Sequence, residues 1–293
     1  MKLKNSNSLN VFIKLIRPKQ WVKNLLIFLP SILAGNVFKE FHWLLGLAGF
    51  VSFSLMASAG YILNDIRDID KDRQHPVKKN RPLAAATIKV KNGFFLSLIL
   101  IISSLGIAYS LGLKPLLVLA VYFIINWIYS AAIKSVRFLD IIILTSFYII
   151  RLTYGATITQ TELTGWFIIT VTFTCLALSL NKRQMECYIS KTEKIPGREY
   201  TTKDISLLQI LSIGFGICSL VFLNIHSYFV LQVKNPLTLA VINLIAAYLI
   251  MLYFDTSKDQ NDDPVERIIK NPITVIMVLV LLALYLYEIL YNK

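Results

Sequence analysis

The chain has 293 residues, 56% of them hydrophobic, and carries 30 Lys and Arg against 17 Asp and Glu, for a formal net charge of +13. So apolar a composition excludes an ordinary soluble globular domain and points to the membrane. The basic excess would suit nucleic acid, but its placement excludes that reading: with nine apolar stretches taken as membrane spans, 25 of the 30 Lys and Arg fall on one side.

A helix crosses the hydrocarbon layer with about 20 mostly apolar residues. In chain order the predicted spans are Trp21–Phe38, Phe41–Leu63, Asn92–Gly112, Pro115–Ala132, Phe138–Ile158, Thr164–Leu180, Ser206–Leu223, Leu237–Phe254 and Pro272–Tyr291. The pattern predicts an all-α, polytopic protein, nine transmembrane helices in a single bundle, forming one domain over residues 1–293. The positive-inside rule puts the N-terminus in the cytoplasm and the C-terminus outside, in the cell (inner) membrane. Met1–Gln20 runs into the first span with no small-residue cleavage pattern, so a cleaved signal is not expected. Long polar segments at Asn64–Lys91, Asn181–Ile205 and Asp255–Asn271 lie on the cytoplasmic side, where the active site should open. Cys175, Cys187, Cys218, His42, His75 and His226 are scattered, which predicts neither disulfides nor zinc.

The second span runs without a break into NDIRDIDKDRQHPVKKNRPLAAA, Asn64 to Ala86. On a helix turning about 100° per residue, Asp65, Asp68 and Asp72 fall at about 0°, 300° and 340°, on one face, and Asp70 at about 140° points elsewhere. Three carboxylates on one face repel unless a cation joins them. Magnesium bridging to a phosphorylated substrate meets that need, and Arg67, Arg73, Lys78, Lys79 and Arg81 would hold the remaining phosphate charge. A solvated loop whose acids merely balance its bases explains the Lys and Arg but not the spacing of the aspartates.

The run NDxxDxxxD at Asn64, Asp65, Asp68 and Asp72, followed by HPVKKNRPL, resembles the first aspartate-rich motif of the UbiA superfamily of intramembrane prenyltransferases. The resemblance implies nine helices, with the motif at the cytoplasmic end of the second, and magnesium on Asp65, Asp68 and Asp72. AAAT after Arg-Pro-Leu departs from the Ser-Gly of many members. The second aspartate-rich motif of aromatic prenyltransferases is also missing: after the sixth span the chain reads NKRQMECYISKTEKIPGREYTTKDI, with Lys182, Arg183, Glu186, Arg198 and Tyr200 instead.

That departure, together with RPKQWVKNLLIFLP, YSAAIK (Tyr129–Lys134), Asp140, Arg151, YGA and DDPVERIIKNP, resembles the decaprenyl-phosphate phosphoribosyltransferase branch. The branch implies transfer of 5-phosphoribose from phosphoribosyl pyrophosphate to a polyprenyl phosphate, with Lys23 and Asn24 at the rim of the site. Asn64, Arg81, Tyr129, Lys134, Lys182, Arg183, Glu186, Arg198 and Tyr200 are the further candidate binding residues. Prenyl transfer from a polyprenyl diphosphate to an aromatic or other small acceptor is the competing reading, and a transporter of phosphorylated cargo is a third. Read from the residues alone, Arg17 and Lys23 snorkel to the interface, Asn24 needs a buried partner, Asp140 pairs with Lys134 or Arg137, and Arg151 meets another helix or a lipid phosphate.

Overall fold

The computed structural model describes residues 8–34, 42–74, 78–189, 198–230, 232–233, 235–254 and 270–291. Its major elements are helical: α1 (Ser8–Ile16), a 3-10 helix (Pro18–Phe28), α2 (Leu29–Leu33), α3 (His42–Arg67), α4 (Ile69–Gln74), α5 (Val90–Leu111), α6 (Leu113–Ala131), α7 (Leu139–Thr159), α8 (Gly165–Ile189), α9 (Ile205–Phe229), α10 (Pro236–Phe254) and α11 (Pro272–Tyr291). Most of DDPVERIIKNP, and His75 to Val77 of the first motif, lie outside the described residues.

Six helical segments are long and apolar enough to cross a membrane: His42–Arg67, Val90–Leu111, Leu113–Ala131, Leu139–Thr159, Gly165–Ile189 and Thr202–Phe229. Two shorter apolar helices, Pro236–Met251 and Pro272–Glu288, match the last two predicted spans. The first predicted span, Trp21–Phe38, is not one α-helix; the chain there forms 11 residues of 3-10 helix and then the short α2. Such a run is far longer than the three or four residues usual for 3-10 geometry. The sixth span also departs from expectation. Asn181–Ile189, expected in a polar loop, continues α8 because the Arg183 and Glu186 charges are paired there.

The described residues fall into two compact units, the first holding those of Met1–Leu29, Lys39–Ser130 and Arg151–Gln160, and the second those of Pro30–Phe38, Ala131–Ile150 and Thr161–Lys293. In the first unit, small residues let α3 approach its neighbours closely. Ser52 and Ser104 exchange hydrogen bonds with each other's carbonyl oxygens at 2.9 and 2.7 Å, joining α3 to α5. Gly155 of α7 lies so close to the 3-10 helix that a Cβ there would stand 2.0 Å from the Ile27 carbonyl oxygen. Leu15, Ala59, Ile62, Leu83, Ile88 and Leu100 form the apolar core beneath the aspartate motif.

In the second unit α8 packs along α9, with Ser212 donating to the Ala177 carbonyl at 2.7 Å. Asn224 of α9 and Asn243 of α10 exchange amide hydrogen bonds at 2.8 and 2.7 Å, and Ser227 meets the Tyr285 hydroxyl of α11 at 3.1 Å. Polar groups are thus bonded inside while Ile102, Leu117 and Ile210 are exposed, the inverse arrangement that lipid favours.

Candidate active site

In the first unit the end of α3 carries the acidic motif. The helix gives way to a turn at Asp68, yet the ladder continues: Asp68 N–H donates to the Asn64 carbonyl at 2.9 Å and Asp72 N–H to the Asp68 carbonyl at 2.8 Å. The face read from the spacing therefore survives the break between α3 and α4. Asp65 and Asp72 are buried and Asp68 is half-buried, while Asp70 points outward, 91% exposed, beside Arg73.

Two arginines close on the buried pair. Arg81 Nη1 reaches Asp72 Oδ2 at 2.7 Å and Asp65 Oδ1 at 3.1 Å, so one nitrogen joins both carboxylates. Arg17 Nη2 donates to the two oxygens of Asp65 at 2.6 and 2.7 Å. The Arg17 backbone is left-handed, φ 56°, where it caps α1 through its N–H to the Ile13 carbonyl at 3.2 Å. Glycine fills such a position at less cost; the arginine that stands there delivers its guanidinium to the acidic pair. A snorkelling side chain was expected, and the partner 48 residues away gives no local signal in the sequence.

Nearby residues complete this cluster. Asn64 accepts a hydrogen bond from Ser130. Asn24 is buried, its amide nitrogen on Ser54 Oγ at 2.9 Å and its amide oxygen receiving Arg151 Nε at 2.8 Å. Arg151 lies over the Phe53 and Tyr122 rings, at 5.1 and 5.5 Å, so the intramembrane cation is met by an amide and two π faces. The expected buried partner of Asn24 and the expected second helix for Arg151 are thus both present. Lys23 and Tyr129 are half-buried beside these elements.

The second unit holds another four-charge network. Arg183, fully buried on α8, donates from Nε to Asp140 at 2.5 Å and from Nη1 to Glu186 at 2.5 Å. Arg198 reaches the same two acids, Asp140 at 3.3 Å and Glu186 at 3.1 Å, and the Lys134 carbonyl at 3.3 Å. Tyr200 Oη donates to Asp140 at 2.6 Å and accepts from the Phe138 N–H at 2.8 Å. Burial, then the hydrogen bond to Asp140, pushes the Tyr200 phenol above its ordinary range, so it remains a donor. Asp140 therefore does not pair with Lys134 or Arg137 as expected; Arg137 pairs with Asp204. Lys134 and Lys182 are half-buried beside this network.

The donor chemistry of the acidic pair fits a hard divalent cation: two carboxylates already converge on one positive centre. Among the described residues no three or more His, Cys, Asp or Glu are arranged as ligands, because guanidinium groups hold that place. Phosphate oxygens and water would have to complete a magnesium shell, as they commonly do.

Comparison with known proteins agrees with this architecture. Decaprenyl-phosphate phosphoribosyltransferase of Mycobacterium tuberculosis is 34% identical over 183 residues, 61% of this chain and 61% of the relative. The nodulation protein NoeC of Azorhizobium caulinodans is 28% identical over 78% of this chain and 75% of its own. An uncharacterised Sinorhizobium fredii protein, y4nM, is 33% identical over 70% of this chain, which spans only 39% of that relative. The chain thus spans less than two thirds of several of the curated relatives it matches. A UbiA homologue from Archaeoglobus fulgidus, solved bound to GPP and Mg2+, has the same fold with TM-score 0.67 at 17% identity, over 95% of this chain and 99% of that one. The UbiA prenyltransferase family matches residues 25–270, and the chain belongs to that family.

Proposed function

We propose that the protein transfers 5-phosphoribose from phosphoribosyl pyrophosphate to a polyprenyl phosphate, with magnesium, at the cytoplasmic face of the inner membrane. The observation that carries this reading is the buried Asp65–Asp72 pair joined at one nitrogen of Arg81, on a chain 34% identical to a decaprenyl-phosphate phosphoribosyltransferase. The basic composition of the α8 end, in place of a second acidic motif, supports a sugar phosphate donor over a prenyl diphosphate.

Bound magnesium would supply Lewis-acid stabilisation of the pyrophosphate leaving group. Asp65, Asp68 and Asp72 hold the cation through hard oxygens. Arg17 and Arg81, each a planar fork suited to phosphate as well as carboxylate, move from the acids onto the pyrophosphate oxygens as the charge there grows. The ribose C1–O bond to pyrophosphate breaks and a C1–O bond to the lipid phosphate forms. A phosphate monoester oxygen is already anionic, so orientation outweighs proton removal. Lys134, Lys182 and Arg198 attract the phosphorylated ligands, Arg183 and Glu186 fix Asp140 and Arg198, and Tyr200 holds Asp140 from the other side. Lys23, Asn24, Asn64 and Tyr129 frame the acidic centre. Nine spans with the N-terminus inside and the C-terminus outside complete the reading.

Purified protein supplied with phosphoribosyl pyrophosphate should release pyrophosphate only when polyprenyl phosphate and magnesium are both present. Prenylation of an aromatic acid from a polyprenyl diphosphate, without that release, would replace this reading with prenyl transfer.

A further inference from the structure

Asn181 and Gln184 lie one helical turn apart on α8, within the stretch that holds Arg183 and Glu186. Both are buried, at 1% and 2% exposure. Neither the amide nitrogen nor the amide oxygen of Asn181 meets a hydrogen-bond partner, and Gln184 Oε1 meets none. Leaving a buried polar group unpaired costs about 1–3 kcal/mol, and most such groups in folded proteins are bonded. A chain that keeps three unpaired atoms within one turn, where leucine would fit, retains them at a cost to its own stability.

The chemistry of the three atoms restricts what would satisfy them. Two are acceptors and one is a donor. Phosphate oxygens offer no hydrogen at neutral pH beyond a monoprotonated form, so an anion answers the single donor and repels both acceptors. An isoprenoid chain answers none of them. Vicinal hydroxyl groups donate and accept together, and they match both acceptors and the donor. We infer that Asn181 and Gln184 form a recognition site for the hydroxyl groups of a sugar, and that they give the protein its preference for a ribosyl over a prenyl donor. This rests on the phosphoribosyl reading above and deepens it, since the arginines beside them are occupied by Asp140 and Glu186 and cannot read a neutral hydroxyl pair in the same way.

Two variants, Asn181→Leu and Gln184→Leu, test the inference in detergent-solubilised full-length protein. Binding of phosphoribosyl pyrophosphate and of inorganic pyrophosphate, each with magnesium, is measured by titration calorimetry, and unfolding by a thermal melt. The inference predicts that each variant binds phosphoribosyl pyrophosphate about tenfold more weakly, the equivalent of one to two lost hydrogen bonds. Pyrophosphate affinity stays within about twofold, and the ligand-free melt moves upward because an unpaired amide has become an apolar isostere. Unchanged affinity for phosphoribosyl pyrophosphate would overturn the inference and show the amides to be served by water alone. A lower melting temperature, or failure of both variants to fold, would overturn it too, since the amides would then be structural. If the unaltered protein binds phosphoribosyl pyrophosphate no better than pyrophosphate, the phosphoribosyl reading itself fails; if it binds it better and the variants do the same, the amide site alone fails.

Discussion

Replacing Asp140 by asparagine removes one charge from the network of the second unit while keeping its shape. Asp140 and Arg183 are both fully buried, and the carboxylate receives Arg183 at 2.5 Å, Tyr200 at 2.6 Å and Arg198 at 3.3 Å. Breaking a buried ion pair by removing one member costs about 3–5 kcal/mol, since the other charge stays in place without compensation. Glu186 still meets Arg183 at 2.5 Å in the variant, so the lower end, about 3 kcal/mol, is expected. Removing both charges with Asp140→Asn and Arg183→Met should cost less than the two single changes added together, by about 2 kcal/mol, because neither charge is then stranded. Denaturant unfolding in detergent micelles, followed by tryptophan fluorescence, measures all three variants. A loss under about 1 kcal/mol for Asp140→Asn, or additive single and double effects, would refute the view that these charges stabilise α8 by mutual pairing.

Arg17→Gly relieves the left-handed backbone by about 1 kcal/mol while deleting two short contacts to Asp65; stability should change little, whereas pyrophosphate affinity should fall at least about tenfold by calorimetry. Arg81→Met leaves Asp65 and Asp72 without their common partner, so Mn2+ binding in the absence of substrate, read by electron paramagnetic resonance, should tighten while turnover is lost. Gly155→Ala puts a methyl group 2.0 Å from a backbone oxygen of Ile27, which cannot rotate away; a loss of about 1–3 kcal/mol or more is expected in the same unfolding assay.

The aspartate face was legible because helical period alone sets it: Asp65 and Asp72 are inward and Asp70 outward, as 100° per residue requires. Apolar length likewise marked α3 and α5 to α9. Hydropathy carries no information on hydrogen-bond register, and so the 3-10 turn-winding of Pro18–Phe28 stayed hidden inside an apolar stretch. The end of α8 was misread for another reason. Lys182, Arg183 and Glu186 look solvated in sequence, and Asp140, which buries Arg183, lies 43 residues earlier. Arg17 had the same defect, its role depending on Asp65 at a separation of 48 residues. Unpaired amides such as Asn181 have no sequence signature at all, because what distinguishes them is the absence of a neighbour.

The most direct test of the account is mass spectrometry of the lipid formed when the purified protein meets polyprenyl phosphate, magnesium and isotope-labelled phosphoribosyl pyrophosphate. The account predicts a polyprenyl phosphate heavier by one labelled phosphoribosyl group, formed by the unaltered protein and not by Asp65→Asn. An unlabelled lipid, or a labelled one made equally well by Asp65→Asn, would contradict it.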